Sequence, residues 1–259
     1  MEKDNFSKFQ KGTVVISIDD GNADDFRIYE NVLLKYNLGA TFNVVSGWIN
    51  GGNSLTKEQL RTIYNNPLME IAAHGYSHKN DDEDIKKGIA MLYDWLDIKE
   101  KAIGFASPGS VMKNDFIEEN EAHLKDLGLL YVRTSRNLNP SKRHLEIQNL
   151  LKSEGASDYI IENIPQLIFS FDGLAVNSAV VLHHTNLEDL YKLVDIAIKE
   201  KACIVFMFHR TKKQGELDYD SLWSYDYDKF EKFVEYLHNK RANGEIDVLT
   251  NKQAFLSDF

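Results

Sequence analysis

Three short clusters hold the side chains best suited to chemistry. Asp19-Asp20-Gly21 sets two adjacent carboxylates before a glycine. Buried acids need a cation or several donors, although an Asx turn ahead of Gly21 would account for this dipeptide alone. His74-Gly75-Tyr76-Ser77-His78 separates two imidazoles by four residues. In a helical turn that spacing puts both on one face and aims two nitrogens at one point. The third cluster is Phe208-His209-Arg210. His183-His184 follows another apolar run and competes with His209 for any proton-transfer role. His123, His144 and His238 fall on helical stretches and read as structural or solvated.

In combination, Asp20, His74 and His78 offer one oxygen and two nitrogens. Such a set leaves a coordination position open for water, the pattern of a catalytic zinc site. Asp19 can take a proton from that water, and His209 can give one to a leaving group. One metal, one base and one acid suit hydrolysis of an amide or ester through a tetrahedral intermediate. Zinc is the default ion, and the same donors accept cobalt, nickel or manganese.

The surrounding sequence supplies elements to position these groups. Apolar, β-branched runs predict strands at 13–18, 40–45, 69–73, 103–106, 130–134, 179–183, 202–208 and 246–249. Helical spacing predicts helices at 26–36, 56–64, 82–96, 117–127, 144–154, 187–199 and 229–240. Asn37-Leu38-Gly39 is the expected stop of the first helix, and Thr56 with Gln59 forms a capping box. This alternation predicts an α/β fold, with parallel strands covered by helices. An open doubly wound sheet and a closed or incomplete β/α barrel both place chemistry at the carboxyl ends of strands. All three clusters stand at such ends.

Composition bounds the rest. The chain has 259 residues, 43% of them apolar and only four of them proline, so we read 1–259 as one domain. An extra helical segment occupies about 136–173. The net charge of −10 and the isolated basic pairs argue against nucleic-acid binding. The single cysteine, Cys203, excludes an internal disulfide and a thiolate zinc cluster. No stretch is long or apolar enough to span a bilayer. Met1–Phe6 has no apolar core of a signal peptide. The expected location is therefore the cytoplasm if the chain is complete, or the cell surface or exterior if a leader was removed.

The clusters also resemble a known family. Ser17-Ile18-Asp19-Asp20-Gly21 is similar to a T-F-D-D-G motif, and His74-Gly75-Tyr76-Ser77-His78 to H-[ST]-x-x-H. Phe105-Ala106-Ser107-Pro108-Gly109 is similar to an R-x-P-[YF] loop, and Met207-Phe208-His209 to L-x-H. These are motifs of the polysaccharide deacetylases, the NodB-homology domain of carbohydrate esterase family 4. The resemblance implies a distorted or incomplete (β/α) barrel and metal-dependent removal of N-acetyl or O-acetyl groups from a polysaccharide or smaller sugar. It makes Asp19 the base, Asp20, His74 and His78 the metal ligands, and His209 the acid. It puts the Gly109 backbone N–H at an oxyanion position and Met207 in the acetyl-methyl pocket.

Two departures stand out. Ala106 occupies the place of the arginine that orients the catalytic Asp, and the Asp with Trp of the fourth motif is not visible. Arg133, at the end of the next predicted strand, would replace that arginine if Val132 points outward to the helices. Trp48, Tyr76, Trp223 and Tyr225 can stack on sugars or anchor loops. Two other readings are a hydrolase of a different C–N bond, such as a cyclic imide or ureide, and a non-catalytic glycan-binding relative.

Overall fold

The computed structural model describes residues 9–135 and 139–256. Met1–Phe6 and the start of the extra segment, 136–138, lie outside the described residues. The strands are β1 (Gly12–Asp20), β2 (Ala40–Val44), β3 (Met69–Ala73), β4 (Ile103–Ala106), β5 (Leu129–Thr134), β6 (Ala175–Asn177), β7 (Ala179–Val180) and β8 (Cys203–Phe208). In space they run β6-β5-β4-β3-β2-β1-β8-β7. A short parallel pair follows, β9 (Arg210–Lys212) with β10 (Ser224–Asp226), and then β11 (Ile246–Leu249) beside β1. Every pairing in the main sheet is parallel.

The sheet curls into a nearly closed (β/α) barrel, and one short segment closes it. β6 pairs with β5, β7 pairs with β8, and Ser178 lies between them. The Ser178 N–H donates to the Thr134 carbonyl at 2.8 Å, so the chain passes directly from one edge to the other.

Strand alternation sorts the side chains into two layers. Val14, Ile16 and Ile18 of β1, Phe42 of β2, Val132 of β5 and Phe206 of β8 belong to the large apolar core beneath the helices. Val15, Tyr131, Val176, Cys203 and Val205 form a smaller cluster inside the barrel. Beside that cluster sits a buried acid. Glu70 accepts hydrogen bonds from the Tyr131 and Thr41 hydroxyls, each at 2.8 Å, and from the Lys252 backbone N–H at 2.9 Å. Burial raises the Glu70 pKa above its ordinary value despite these donors.

The helices follow local signals, with instructive exceptions. Thr56 and Gln59 form the capping box at the start of Lys57–Tyr64. The first helix starts earlier than its spacing predicts, at Ala23, and passes through a wide turn over Tyr29–Leu33. It ends on Asn37 in the left-handed conformation (φ 52°), not on Gly39. Gly39 serves close packing instead: a Cβ there would lie 2.6 Å from the Leu68 carbonyl oxygen. The predicted helix at 117–127 is two helices, Asn114–Glu119 and Glu121–Asp126, meeting at Asn120. The predicted strand at 179–183 is only Ala179–Val180, because Leu182 and Thr185 close a turn that carries His183 off the sheet. The extra segment holds the helices Lys142–Ser153 and Asp158–Asn163.

Inside the barrel, Gly104 makes room for Tyr131. A Cβ at 104 would lie 2.2 Å from the phenol ring. Gly104→Ala is expected to displace the ring and its bond to Glu70, lowering unfolding free energy by about 1–3 kcal/mol. Urea denaturation checks this, and an unchanged midpoint would show that the ring has space to move.

Candidate active site

The site is assembled where β1, β3, β5 and β8 stop. Asp19 and Asp20 end β1, and alternation sends Asp19 into the barrel. Asp19 is 2% exposed, and Arg133 on β5 is fully buried. Nη2 of Arg133 donates to both carboxylate oxygens of Asp19 at 2.5 Å, and Nη1 contacts the Met207 sulfur. Asn43 of β2 donates to Asp19 Oδ1 at 2.8 Å. Burial by itself would raise the Asp19 pKa. Arg133, then His74 and His209, outweigh it and hold the carboxyl at about 2.

Ala106 and Arg133 are direct partners across β4 and β5. The guanidinium thus comes from the strand next to β4, at the level of Ala106. The small side chain of Ala106 suits a neighbour that must cross the interior to Asp19.

Asp20, His74 and His78 converge beside this pair. Asp20 Oδ1 lies 3.6 Å from His74 Nε2 and 3.8 Å from His78 Nε2. Among the described residues they form the one group of three His, Cys, Asp or Glu whose ligand atoms lie within 4.8 Å of one another. His74 Nδ1 is 2.8 Å from the Ala106 carbonyl oxygen, which can only accept, so the proton sits on Nδ1. The Nε2 lone pair is left facing Asp20. One carboxylate oxygen and two imidazole nitrogens, with one tautomer fixed from behind, fit a single divalent ion. Asp20 (φ 84°) and His78 (φ 64°) both hold strained backbone conformations, as residues bound into a functional cluster often do.

The loop carrying His78 is held by a residue that sequence reasoning missed. Asp84, in the first turn of helix Asp82–Leu96, accepts from the backbone N–H groups of Tyr76, Ser77 and Lys79 and from the Ser77 hydroxyl. Burial would raise the Asp84 pKa, but these donors lower it below the ordinary value. Gly75 stands where the family pattern has Ser or Thr. A Cβ there would lie 2.5 Å from Asp84 Oδ2, so this carboxylate demands a glycine. Asn43 was also missed. Its signal was a polar residue at an inward position of β2, between Phe42 and Val44. Asp84 carries no such signal, because its role depends on how the helix meets the loop.

A cavity of about 360 Å³ opens over these groups, lined by Asp19, Asp20, His74, His78, Gly109, Met207 and His209. His209 Nε2 lies 3.9 Å from Asp19 Oδ2, across from the three ligand candidates. Its Nδ1 is buried without a hydrogen-bond partner among the described residues, and burial lowers its pKa. Among the described residues no carboxylate backs this imidazole, in keeping with the missing fourth motif. Gly109 lines the wall in a left-handed conformation (φ 60°). Asn80 ties that loop to the His78 loop through Ser107 Oγ and the Pro108 carbonyl.

Other candidates fall elsewhere. Tyr76 is outside the cavity, because its ring packs under the Lys87 ammonium of the adjacent helix. Tyr225 is buried against Phe208 and cannot meet a ligand. Trp48 and Trp223 do line the cavity, packed on the rings of His78 and His209. His183 bonds toward the Ser224 carbonyl, away from the site. His144 caps its own helix, and His123 pairs with Asp82 at the surface. A larger cavity, about 670 Å³, lies near Glu70 and Lys252 at the opposite end of the barrel, with no converging ligand set among the described residues.

Comparison with known proteins gives a partial family match and a shared fold. Residues 7–123 match the model of the polysaccharide deacetylase family. IcaB from Ammonifex degensii is 23% identical, with 48% of this chain and 60% of that chain covered and a TM-score of 0.40. A family 4 acetyl xylan esterase from Clostridium thermocellum, solved with a cobalt ion, is 15% identical over 94% of this chain and 90% of that one (TM-score 0.49). A family 4 pseudoenzyme from Bacillus anthracis is 12% identical over 95% of this chain and 66% of that one, with a TM-score of 0.50, a shared fold. The chain thus spans less than two thirds of the IcaB chain. No curated protein matches the sequence.

If Asp84 holds the His78 loop, Asp84→Ala is expected to weaken zinc binding about 10–100-fold. Competitive zinc titration reads this, with circular dichroism to confirm the fold. Unchanged affinity would show that the loop holds its shape unaided.

Proposed function

We propose that this chain, whose residues 7–123 match the polysaccharide deacetylases, is a metal-dependent hydrolase that removes acetyl groups from a glycan or smaller acetylated sugar. One observation carries the reading: Asp19, locked by Arg133, lies between the Asp20-His74-His78 cluster and His209. A pure binding protein has no need of a base held in that orientation.

Asp20, His74 and His78 would hold the ion. When bound there, a divalent ion polarises the acyl carbonyl and makes the attacking water more acidic. That acidification matters, because Asp19, with a pKa of about 2, is a weak base. Its carboxylate stays ionised across the working pH range. Arg133 and Asn43 prevent it from turning away, so Oδ2 keeps its aim toward the cavity. His209, on the far side of Asp19, would protonate the departing amine or alcohol. The Gly109 backbone N–H is the candidate donor to the developing oxyanion, and Met207 narrows the cavity where the acetyl methyl would sit.

The unbacked Nδ1 of His209 favours a second reading, a non-catalytic glycan-binding relative. Acetate release from N-acetylated chitooligosaccharides separates the two. The hydrolase reading expects turnover with added zinc, cobalt, nickel or manganese that a chelator abolishes. No release with any of these ions, and none of ring-opened product from a cyclic imide run in parallel, would favour the binding protein.

Two substitutions test the roles. Asp19→Asn is expected to retain metal while turnover falls by about two to four orders of magnitude. The amide also leaves the Arg133 charge unpaired, so stability should drop by about 3–5 kcal/mol, and rates are to be normalised to folded protein. Near-parent turnover would place the base elsewhere. Arg133→Lys keeps the charge but not the planar fork. With Asp19 less firmly aimed, kcat should fall about a hundredfold at unchanged metal content. A parent-like kcat would make Arg133 a structural cation only.

A further inference from the structure

The cleft has a second chamber. Beside the cavity over Asp19 lies an open one of about 590 Å³, lined by the turn 47–54, Gly21, Asn22 and Arg210. Trp48 and Arg210 line both chambers, so they stand at the junction. Trp48 is 43% exposed, with its inner side packed on His78. Its free area is a flat apolar surface one step from the metal-ligand cluster.

The electrostatics of the second chamber are one-sided. In a chain of net charge −10, no carboxylate among the described residues lines it, and Arg210 is the one charged side chain among them that does. Two partners hold that guanidinium. Nε reaches Asn22 Oδ1 at 3.4 Å, and Nη1 reaches Asp218 Oδ2 at 3.3 Å. Both contacts are long, and Asp218 is 43% exposed, so this pair holds the guanidinium weakly. Among the described residues Nη2 makes no hydrogen bond, which leaves a donor for a ligand. A planar guanidinium with a spare donor is matched by a planar carboxylate.

We propose that the second chamber is a subsite for a carboxylate-bearing sugar next to the acetylated unit, stacked on Trp48 and bonded to Arg210. The inference rests on the cleft being a glycan site, and it adds the charge of the neighbouring residue. The preferred substrate would then be an acidic glycan, with its hexuronate or similar unit over the second chamber.

Binding tests this independently of turnover. The zinc-loaded protein is titrated calorimetrically with an N-acetylated disaccharide whose second sugar is a uronate, and with the same disaccharide reduced to the alcohol. The parent should bind the acid about tenfold more tightly, the scale of one charge-assisted hydrogen bond. Arg210→Gln should bring the ratio close to one, and Arg210→Lys should leave it between. A preference that survives Arg210→Gln would belong to the metal and overturn the proposal, as would equal or absent binding of both ligands by the parent. Tighter binding of a phosphate-bearing analogue than of the uronate would overturn the carboxylate assignment. Acetate release from the neutral disaccharide is measured separately. If release is absent while the Arg210-dependent preference holds, the hydrolase reading fails and the acidic subsite stands.

Discussion

The site depends on one buried ion pair. Arg133 crosses the barrel interior with no exposure and ends on both oxygens of Asp19. A guanidinium in such a place is tolerated only with a counter-charge and further partners. Asp19 supplies the charge, the Met207 sulfur takes part of the remainder, and Asn43 completes the shell of Asp19. The pair in turn constrains its neighbours. Position 106, in register with Arg133, is a small alanine, and its carbonyl is used to orient His74. The same interaction therefore aims a carboxylate and shapes the wall behind a metal-ligand candidate.

The barrel accommodates this polarity because its apolar work is done elsewhere. The large core lies outside the strands, under the helices, and is continuous around the sheet. Inside, apolar residues fill only part of the space, and Glu70 with Tyr131 and Thr41 makes a satisfied polar floor. Glu70, Asp19 and Asn43 each find partners on neighbouring strands. The carboxyl ends are thus free to carry charge, which an apolar plug would have excluded.

Above the strands, the loops are anchored and not merely connected. Asp84 gathers three backbone N–H groups of the His78 loop, and Asn80 stitches that loop to the one bearing Gly109. Left-handed residues at Asp20, His78 and Gly109 can persist because these bonds over-determine the local backbone. On the other side, Lys212 bonds Asp24, and Arg27 binds Glu216 and the Thr211 carbonyl, tying the β9–β10 region to the first helix. Trp223 and Arg210 flank or belong to that region, so the cleft has two separately fastened rims.

The sequence by itself determined the periodic and local features. Alternating apolar runs marked most strands of the main sheet and their parallel direction, and motif residues at strand ends nominated Asp19, Asp20, His74, His78 and His209. Those signals survive because they are short-range: a period of two, a turn glycine, an i, i+4 pair. Arg133 was legible only on the condition that Val132 faces the helices, a condition that the packed chain supplied. Tertiary structure alone decided what depends on elements far apart in the chain. It closed the barrel through Ser178, turned Tyr76 toward Lys87 and away from the cavity, and buried Tyr225. It also brought the Asp84 carboxylate under the His78 loop and joined two chambers at Trp48 and Arg210. Each of these is a meeting of surfaces whose distance and angle no local pattern encodes, so only the packed chain could set them.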